Sequence, residues 1–171
     1  MKFVGVSLSD PIYDEIYNKI LESYPNACIL YIDEVYNETM LKGFNDRKNH
    51  LVGLPRVLRL FHGTKHDNIQ SIADNGFMKE YNKVSAYGIG TYFSTRAEYS
   101  KNYANVDKDG ISYMFYCDVL IGNCIPCGTN MEIDTSKYDT SVNSLQDTSI
   151  YVTPYNDGAY PRYMVAFYKG S

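Results

Sequence analysis

Apolar and polar positions divide the chain into stretches of unlike period. Behind Asp10-Pro11, an acidic cap followed by proline at the first helical position, Ile12, Ile16, Tyr17, Ile20 and Leu21 recur at helical spacing. The pattern predicts an amphipathic helix over 10–24, broken by Asn26. Cys28–Tyr36 (CILYIDEVY) reads as a strand, and Asn37 as the cap of a second helix to about residue 49, with Met40, Leu41 and Phe44 on one face. From Pro55 onward strands dominate. Val57, Leu58, Leu60 and Phe61 form a short apolar strand ending at His62-Gly63-Thr64. A short helix starting at Asp67 or Asn68 carries Ile69 and Ile72 and closes on Asn75-Gly76. Residues 79–86 are polar and loop-like, 87–94 (YGIGTYFS) read as a glycine-spaced turn into a strand, and 97–104 as a helix. A long strand rich in aromatic and β-branched residues is expected over 113–121. Residues 122–146 lack periodicity and read as a long connecting loop, and 150–155 and 163–168 as two further strands. Helices and a strand first, then mostly strands, predict an α+β chain with a substantial antiparallel sheet.

Composition narrows the functional classes. At 171 residues and 44% hydrophobic, the chain has the size of one domain, 1–171, with a real core. A net charge of -4 speaks against a broad basic nucleic-acid footprint. Eighteen tyrosines and no tryptophan suit strands and ring stacking, although a bias toward Tyr, Asn, Ile and Lys is the plainer account. Cys124 and Cys127 form a lone CxxC, and His50, His62 and His66 complete no metal set. Free thiols in a reducing compartment are therefore expected. The first nine residues are too short and polar for a signal peptide, and no apolar run approaches the roughly 20 residues of a membrane span. An intracellular protein, cytoplasmic or nuclear, with no membrane contact is expected.

Three segments carry candidate chemistry: 60–64 (LFHGT), 87–94 (YGIGTYFS) continuing to 98–103 (EYSKNY), and 150–152 (IYV) followed by 159–165 (AYPRYMV). His62 ends a strand beside Gly63, and a neutral imidazole can both donate and accept hydrogen bonds. Taken alone, it reads as a core histidine satisfied by backbone. Gly63 has no Cβ to keep a ligand from the backbone, and alone reads as a turn glycine. Ser100 and Tyr103, three apart on a helix, can close on one ring together; Tyr99 and Tyr103 can equally be a core stripe. Gly88 and Gly90 read as turn formers, since no GxGxxG or Rossmann unit accompanies them.

HGT, GxGTYF and YPxY in this order and spacing resemble the catalytic domain of the poly(ADP-ribose) polymerase superfamily, the diphtheria-toxin-like ADP-ribosyltransferases. The likeness covers nearly the whole chain and is nearest to members that transfer a single ADP-ribose. It implies two packed, mostly antiparallel sheets with flanking short helices. It implies NAD as co-substrate, no metal, and a catalytic set of His62, Tyr92 and Ile150. The NAD-binding residues it implies are His62, Gly63, Thr64, Tyr92, Phe93, Tyr99, Ser100 and Tyr103. In that family the matching His bonds ribose hydroxyls, and the Gly backbone pairs with the nicotinamide carboxamide. The first Tyr holds the nicotinamide side, the last stacks on the ring, and the Ser bonds the amide. Polymer-forming members carry Glu where Ile150 stands; Asp147 and Asp157 do not fit the register.

The resemblance therefore implies mono-ADP-ribosylation of a protein acceptor, or of the enzyme itself, with release of nicotinamide, by a monomer. Two alternatives are transfer to a nucleic-acid terminal phosphate, for which Arg56, Arg59, Arg96 and Lys101 offer a local basic patch, and an inactive NAD or ADP-ribose binding module. Retention of His62 and Tyr92 argues against the second. Without an ExE or QxE pair, toxin-type arginine-specific transfer is not expected. With 61 residues before His62, neither a regulatory helical subdomain nor activation by DNA breaks is expected. The chain departs from the family pattern at Gly158 (often Gln), at Arg162 (often Glu) and at Pro154, placed inside the penultimate strand.

Overall fold

A computed structural model describes residues 1–78 and 85–169. Strand β1 (Lys2–Gly5) precedes helix α1 (Pro11–Ser23), whose cap carboxylate, Asp10, accepts the Ile12 N–H and whose inward face is Tyr13, Ile16 and Ile20. Strand β2 (Cys28–Tyr36) leads to α2 (Glu38–Lys48), capped by the Asn37 side chain on the Met40 N–H. Strand β3 (Arg56–Thr64) runs through a 3-10 turn (His66–Asn68) into α3 (Ile69–Asn75), closed by Gly76 in the left-handed region at φ 79. Then follow β4 (Thr91–Ser94), α4 (Ala97–Lys101), β5 (Ile111–Ile121), β6 (Cys124–Pro126), β7 (Thr140–Val142), β8 (Ile150–Thr153) and β9 (Ala159–Tyr168).

The strands join in one sheet, β1-β2-β9-β5-β3-β4-β8-β7-β6, antiparallel except for β6–β7. It behaves as the two packed layers expected, because β3 and β4 meet at a single register pair, Phe61 with Ser94. Five strands lie on one side of that junction and four on the other. Leu60, Phe115 and Val119 from the first arm share a core with Phe93, Val142 and Tyr151 from the second, together with Ile72 and Ala73 of α3. The opposite face of the first arm buries Phe61, Met114, Val165 and Phe167 under Ile16 and Ile20 of α1. Along β5 the side chains alternate between these cores, as a strand of period two must.

Several elements differ from the sequence reading. Strand β1 was not expected; it consists of four residues at the sheet edge and is defined by its pairing with β2. Helix α4 is five residues, ending at Lys101, so Tyr103 lies in the turn beyond it. The stretch read as a long loop contains β6 and β7. They are held by the buried Asp139 carboxylate, which accepts the N–H groups of Val52, Gly53 and Asn123 at 2.8, 2.9 and 2.8 Å. Such long-range capture leaves no local periodicity to read. Pro154 lies just past β8, so it removes no ladder donor. Pro161 is inside β9, where the register with β5 shifts between Tyr116 and Asp118. Of the polar stretch 79–86, residues 79–84 fall outside those described.

The departures at 158 and 162 have local reasons. A Cβ at Gly158 would stand 2.2 Å from Thr153 Oγ1, which excludes a larger residue. Arg162 Nε donates to Asp118 at 2.6 Å, and Asp118 also faces Arg59, itself paired with Glu15 of α1. Tyr160 of the YPxY segment is buried. Its hydroxyl accepts the Asn37 N–H at 3.0 Å and donates to the Val35 carbonyl at 2.5 Å, tying β9 to the end of β2 and the cap of α2. Tyr160→Phe leaves both backbone groups short of a partner. It should cost about 1–3 kcal/mol, seen as a lower urea midpoint with unchanged slope.

Candidate active site

Past the Phe61–Ser94 pair, β3 and β4 no longer pair, and His62 takes over. Its Nδ1 lies 2.7 Å from the Tyr92 carbonyl oxygen. A carbonyl only accepts, so Nδ1 carries the proton and Nε2 is left with its lone pair. The ring sits against Phe77 at 4.7 Å and Phe93 at 5.4 Å between centroids. Burial in this aromatic setting lowers the imidazole pKa to about 4 against the opposing pull of the Tyr92 bond, so His62 is neutral at pH 7. Phe93, expected to line the NAD site, is 1% exposed in the main core. Its place is behind His62, as support for the ring.

A cavity of about 300 Å³ opens beside His62, lined also by Thr64, Asn68, Ser71 and Phe77. Asn68 Nδ2 donates to Thr64 Oγ1 at 3.4 Å. Gly63 lies within β3, not in a turn. A Cβ there would stand 1.7 Å from the Ser100 carbonyl oxygen, so α4 is laid directly on the strand backbone. That same carbonyl accepts the Tyr103 N–H at 3.1 Å, which sets the turn carrying Tyr103.

Tyr92 belongs to a second group. Its hydroxyl accepts the Tyr87 N–H at 2.8 Å and donates to the Gly88 carbonyl at 2.7 Å. It thereby locks a turn in which Gly88 has φ 111, a conformation that favours glycine. The Tyr92 ring clusters with Ile150 and Val152, with Tyr87 and Tyr99 packed against them. Ile150 lies opposite Ser94 and is 4% exposed. Tyr103 is 39% exposed; its hydroxyl is 3.3 Å from that of Tyr99, with the rings 5.3 Å apart and inclined at 52°. Burial raises the pKa values of the Tyr92 and Tyr99 hydroxyls, and both stay protonated. A second cavity, about 240 Å³, is lined by Ser94, Arg96, Glu98, Tyr99, Asn102 and Ile150.

Strands β3, β4 and β8 thus bring His62, Tyr92 and Ile150 together on consecutive strands, with Gly63, Ser100 and Tyr103 alongside. The four cations considered as a basic patch each have their own partner. Arg59 pairs with Glu15, Arg96 with Glu98, Lys101 lies over the Tyr24 ring, and Arg56 reaches Cys124. The sequence reading gave no role to Ser71 and Phe77 in the first cavity or to Glu98 and Asn102 in the second; Ser71 and Phe77 stand outside the three motif segments, whereas Glu98 and Asn102 fall within 98–103 but were not singled out. Asn68 was read only as a helix start, although its amide reaches Thr64 of the HGT segment.

A family model described as the poly(ADP-ribose) polymerase catalytic domain matches residues 13–167. The chain is 29% identical over 177 residues, 94% of its length, to the human protein mono-ADP-ribosyltransferase PARP14. It is 29% identical over 152 residues, 81% of its length, to a probable poly(ADP-ribose) polymerase of Dictyostelium discoideum. To the Mus musculus protein mono-ADP-ribosyltransferase PARP12 it is 26% identical over 184 residues, 99% of its length. The chain spans 10%, 44% and 26% of these three relatives.

Two outcomes follow from this geometry. Gly63→Ala meets a backbone carbonyl that cannot rotate away, and should cost about 3 kcal/mol or more in chemical denaturation. For His62, the unfolded chain takes up a proton below the ordinary value of 6.5, whereas the folded protein does not until about 4. The stability His62 contributes is therefore full above pH 6.5 and falls as pH drops toward 4. His62→Gln should flatten that limb of the stability profile relative to the wild type.

Proposed function

Because the chain belongs to the poly(ADP-ribose) polymerase catalytic domain family, we propose that it transfers one ADP-ribose from NAD to a protein acceptor, itself included, and releases nicotinamide. The observation that carries this reading is the His62 tautomer: Nδ1–H is held by the Tyr92 carbonyl, and Nε2 is left as an acceptor beside a cavity. An acceptor nitrogen that stays neutral suits a sugar hydroxyl donor. In this reading His62 receives a ribose hydroxyl, and Thr64 and Asn68 line the room for the rest of the ADP-ribose. The exposed Tyr103 ring stacks on nicotinamide, with the Gly63 backbone and Ser100 at the carboxamide.

As the bond between the ribose C1 and the pyridinium nitrogen stretches, positive charge moves onto the sugar and the electron pair onto the ring nitrogen. Nicotinamide then leaves neutral. The chain's contribution is to hold the two halves of NAD in one bent geometry. A single transfer follows from Ile150, whose side chain has no acceptor for the ribose hydroxyl that must be activated when a polymer grows. The two relatives named mono-ADP-ribosyltransferases support the same reading. His62 and Tyr92, both present and hydrogen-bonded, favour an active enzyme over a binding module. The net charge of -4 favours a protein acceptor over a nucleic-acid end.

With labelled NAD, the wild type should release nicotinamide and leave a single ADP-ribose on protein. Tyr103→Ala should raise KM for NAD about tenfold through lost stacking, without lowering the melting temperature. Binding of NAD without release of nicotinamide contradicts the proposal.

A further inference from the structure

We infer that Lys101 is a positioning residue for nicotinamide: its ammonium, laid on the Tyr24 ring, fixes α4 against the end of α1 and so fixes where Tyr103 stands. The inference rests on the transferase reading above. Helix α4 has five residues, and its N-cap residue, Arg96, makes no side-chain cap bond. So short a helix does not hold itself, and its place comes from packing. Three contacts supply that place. Ala97 and Ala104, both fully buried, join the core that holds Ile16 and Ile20 of α1 and Tyr24 at its end. The Ser100 carbonyl lies against the Gly63 backbone and accepts the Tyr103 N–H.

The third contact is a reciprocal tie with the end of α1. Ser23, the last residue of that helix, accepts the Glu98 N–H at 3.2 Å through its hydroxyl and gives α4 the cap its own sequence lacks. In return, Lys101 Nζ lies 4.3 Å from the centroid of the Tyr24 ring. Tyr24 is the C-cap of α1, whose last turn carries no basic residue, so Lys101 brings the positive charge that this helix end favours. The ring is a fixed platform, 3% exposed and edge-on to Phe167 at 6.0 Å. Lys101 stands just before the turn in which Asn102 and Tyr103 donate to the Tyr99 and Ser100 carbonyls at 3.3 and 3.1 Å. The Tyr103 ring is exposed, so that turn and the Tyr99 hydroxyl set its position. Freeing the cation at 101 loosens the turn. Lys101 thus acts on nicotinamide through Tyr103, and on the nucleotide half of NAD not at all.

The test uses the full chain and compares NAD with two inhibitors that divide it, nicotinamide and ADP-ribose. Lys101→Met keeps the aliphatic stem and removes the cation. It should raise KM for NAD and the inhibition constant of nicotinamide together, about three- to fivefold, the share of one cation–π contact. The value of kcat, the inhibition constant of ADP-ribose and the melting temperature should not change. The Asn102 and Tyr103 amides should exchange with solvent faster. Lys101→Arg, whose guanidinium also seats on an aromatic face, should restore KM, nicotinamide binding and amide exchange. Ser23→Ala should move the same constants in the same direction as Lys101→Met. An equal rise for ADP-ribose, unchanged nicotinamide binding or amide exchange in Lys101→Met, or no recovery in Lys101→Arg overturns the assignment of Lys101 and leaves the transferase reading standing. Absence of nicotinamide release from the wild type overturns both.

Discussion

The hydrogen bond from His62 to the Tyr92 carbonyl stands where the sheet stops behaving as a sheet. On one side of it β3 pairs with β5 along nine residues; on the other, pairing with β4 is a single position. A backbone carbonyl left at such a break must find a donor, since unpaired buried polar groups are costly. Here a side chain supplies it, so the strands can part and stay tied. The same bond fixes which imidazole nitrogen carries the proton. The cleft, the orientation of the histidine and its readiness to accept a ligand hydroxyl come from one contact, with Phe77 and Phe93 keeping the ring in place and uncharged.

Tyrosine is used in two ways around that break. Tyr92 and Tyr160 each accept a backbone N–H and donate to a backbone carbonyl, so each hydroxyl replaces the pairing that a turn or strand end lacks. They hold the scaffold, one at the glycine turn before β4 and one at the cap of α2. Tyr99 and Tyr103 meet each other through their hydroxyls, and the Tyr103 ring remains open to solvent. The phenol partners thus separate structural tyrosines from one available to a ligand, a distinction that counting tyrosines cannot make. Gly63 shows a similar economy: the missing side chain admits the Ser100 carbonyl, and through it α4 and the Tyr103 turn are set against β3.

Most of the elements were legible because their signals are local. Asp10-Pro11 and Asn37 cap α1 and α2 as read, Cys28–Tyr36 is a strand along its whole length, and Gly76 closes α3. What the chain did not disclose depends on distant partners. Asp139 organises β6 and β7 through amides up to 87 residues away, and β1 is defined by pairing with β2. The motif residues were legible as a set. Their division of labour was not: Phe93 and His62 share an aromatic cluster, Gly63 answers to α4, and Tyr92 reaches His62 through its carbonyl, not its ring.

The account depends on the protonation state of one ring, which nitrogen NMR of the imidazoles reads directly. At pH 6 His62 should be neutral, with Nδ1 protonated and Nε2 bare, and addition of NAD should shift the Nε2 resonance by hydrogen bonding. An imidazolium at that pH, the opposite tautomer, or an Nε2 signal indifferent to saturating NAD would contradict it.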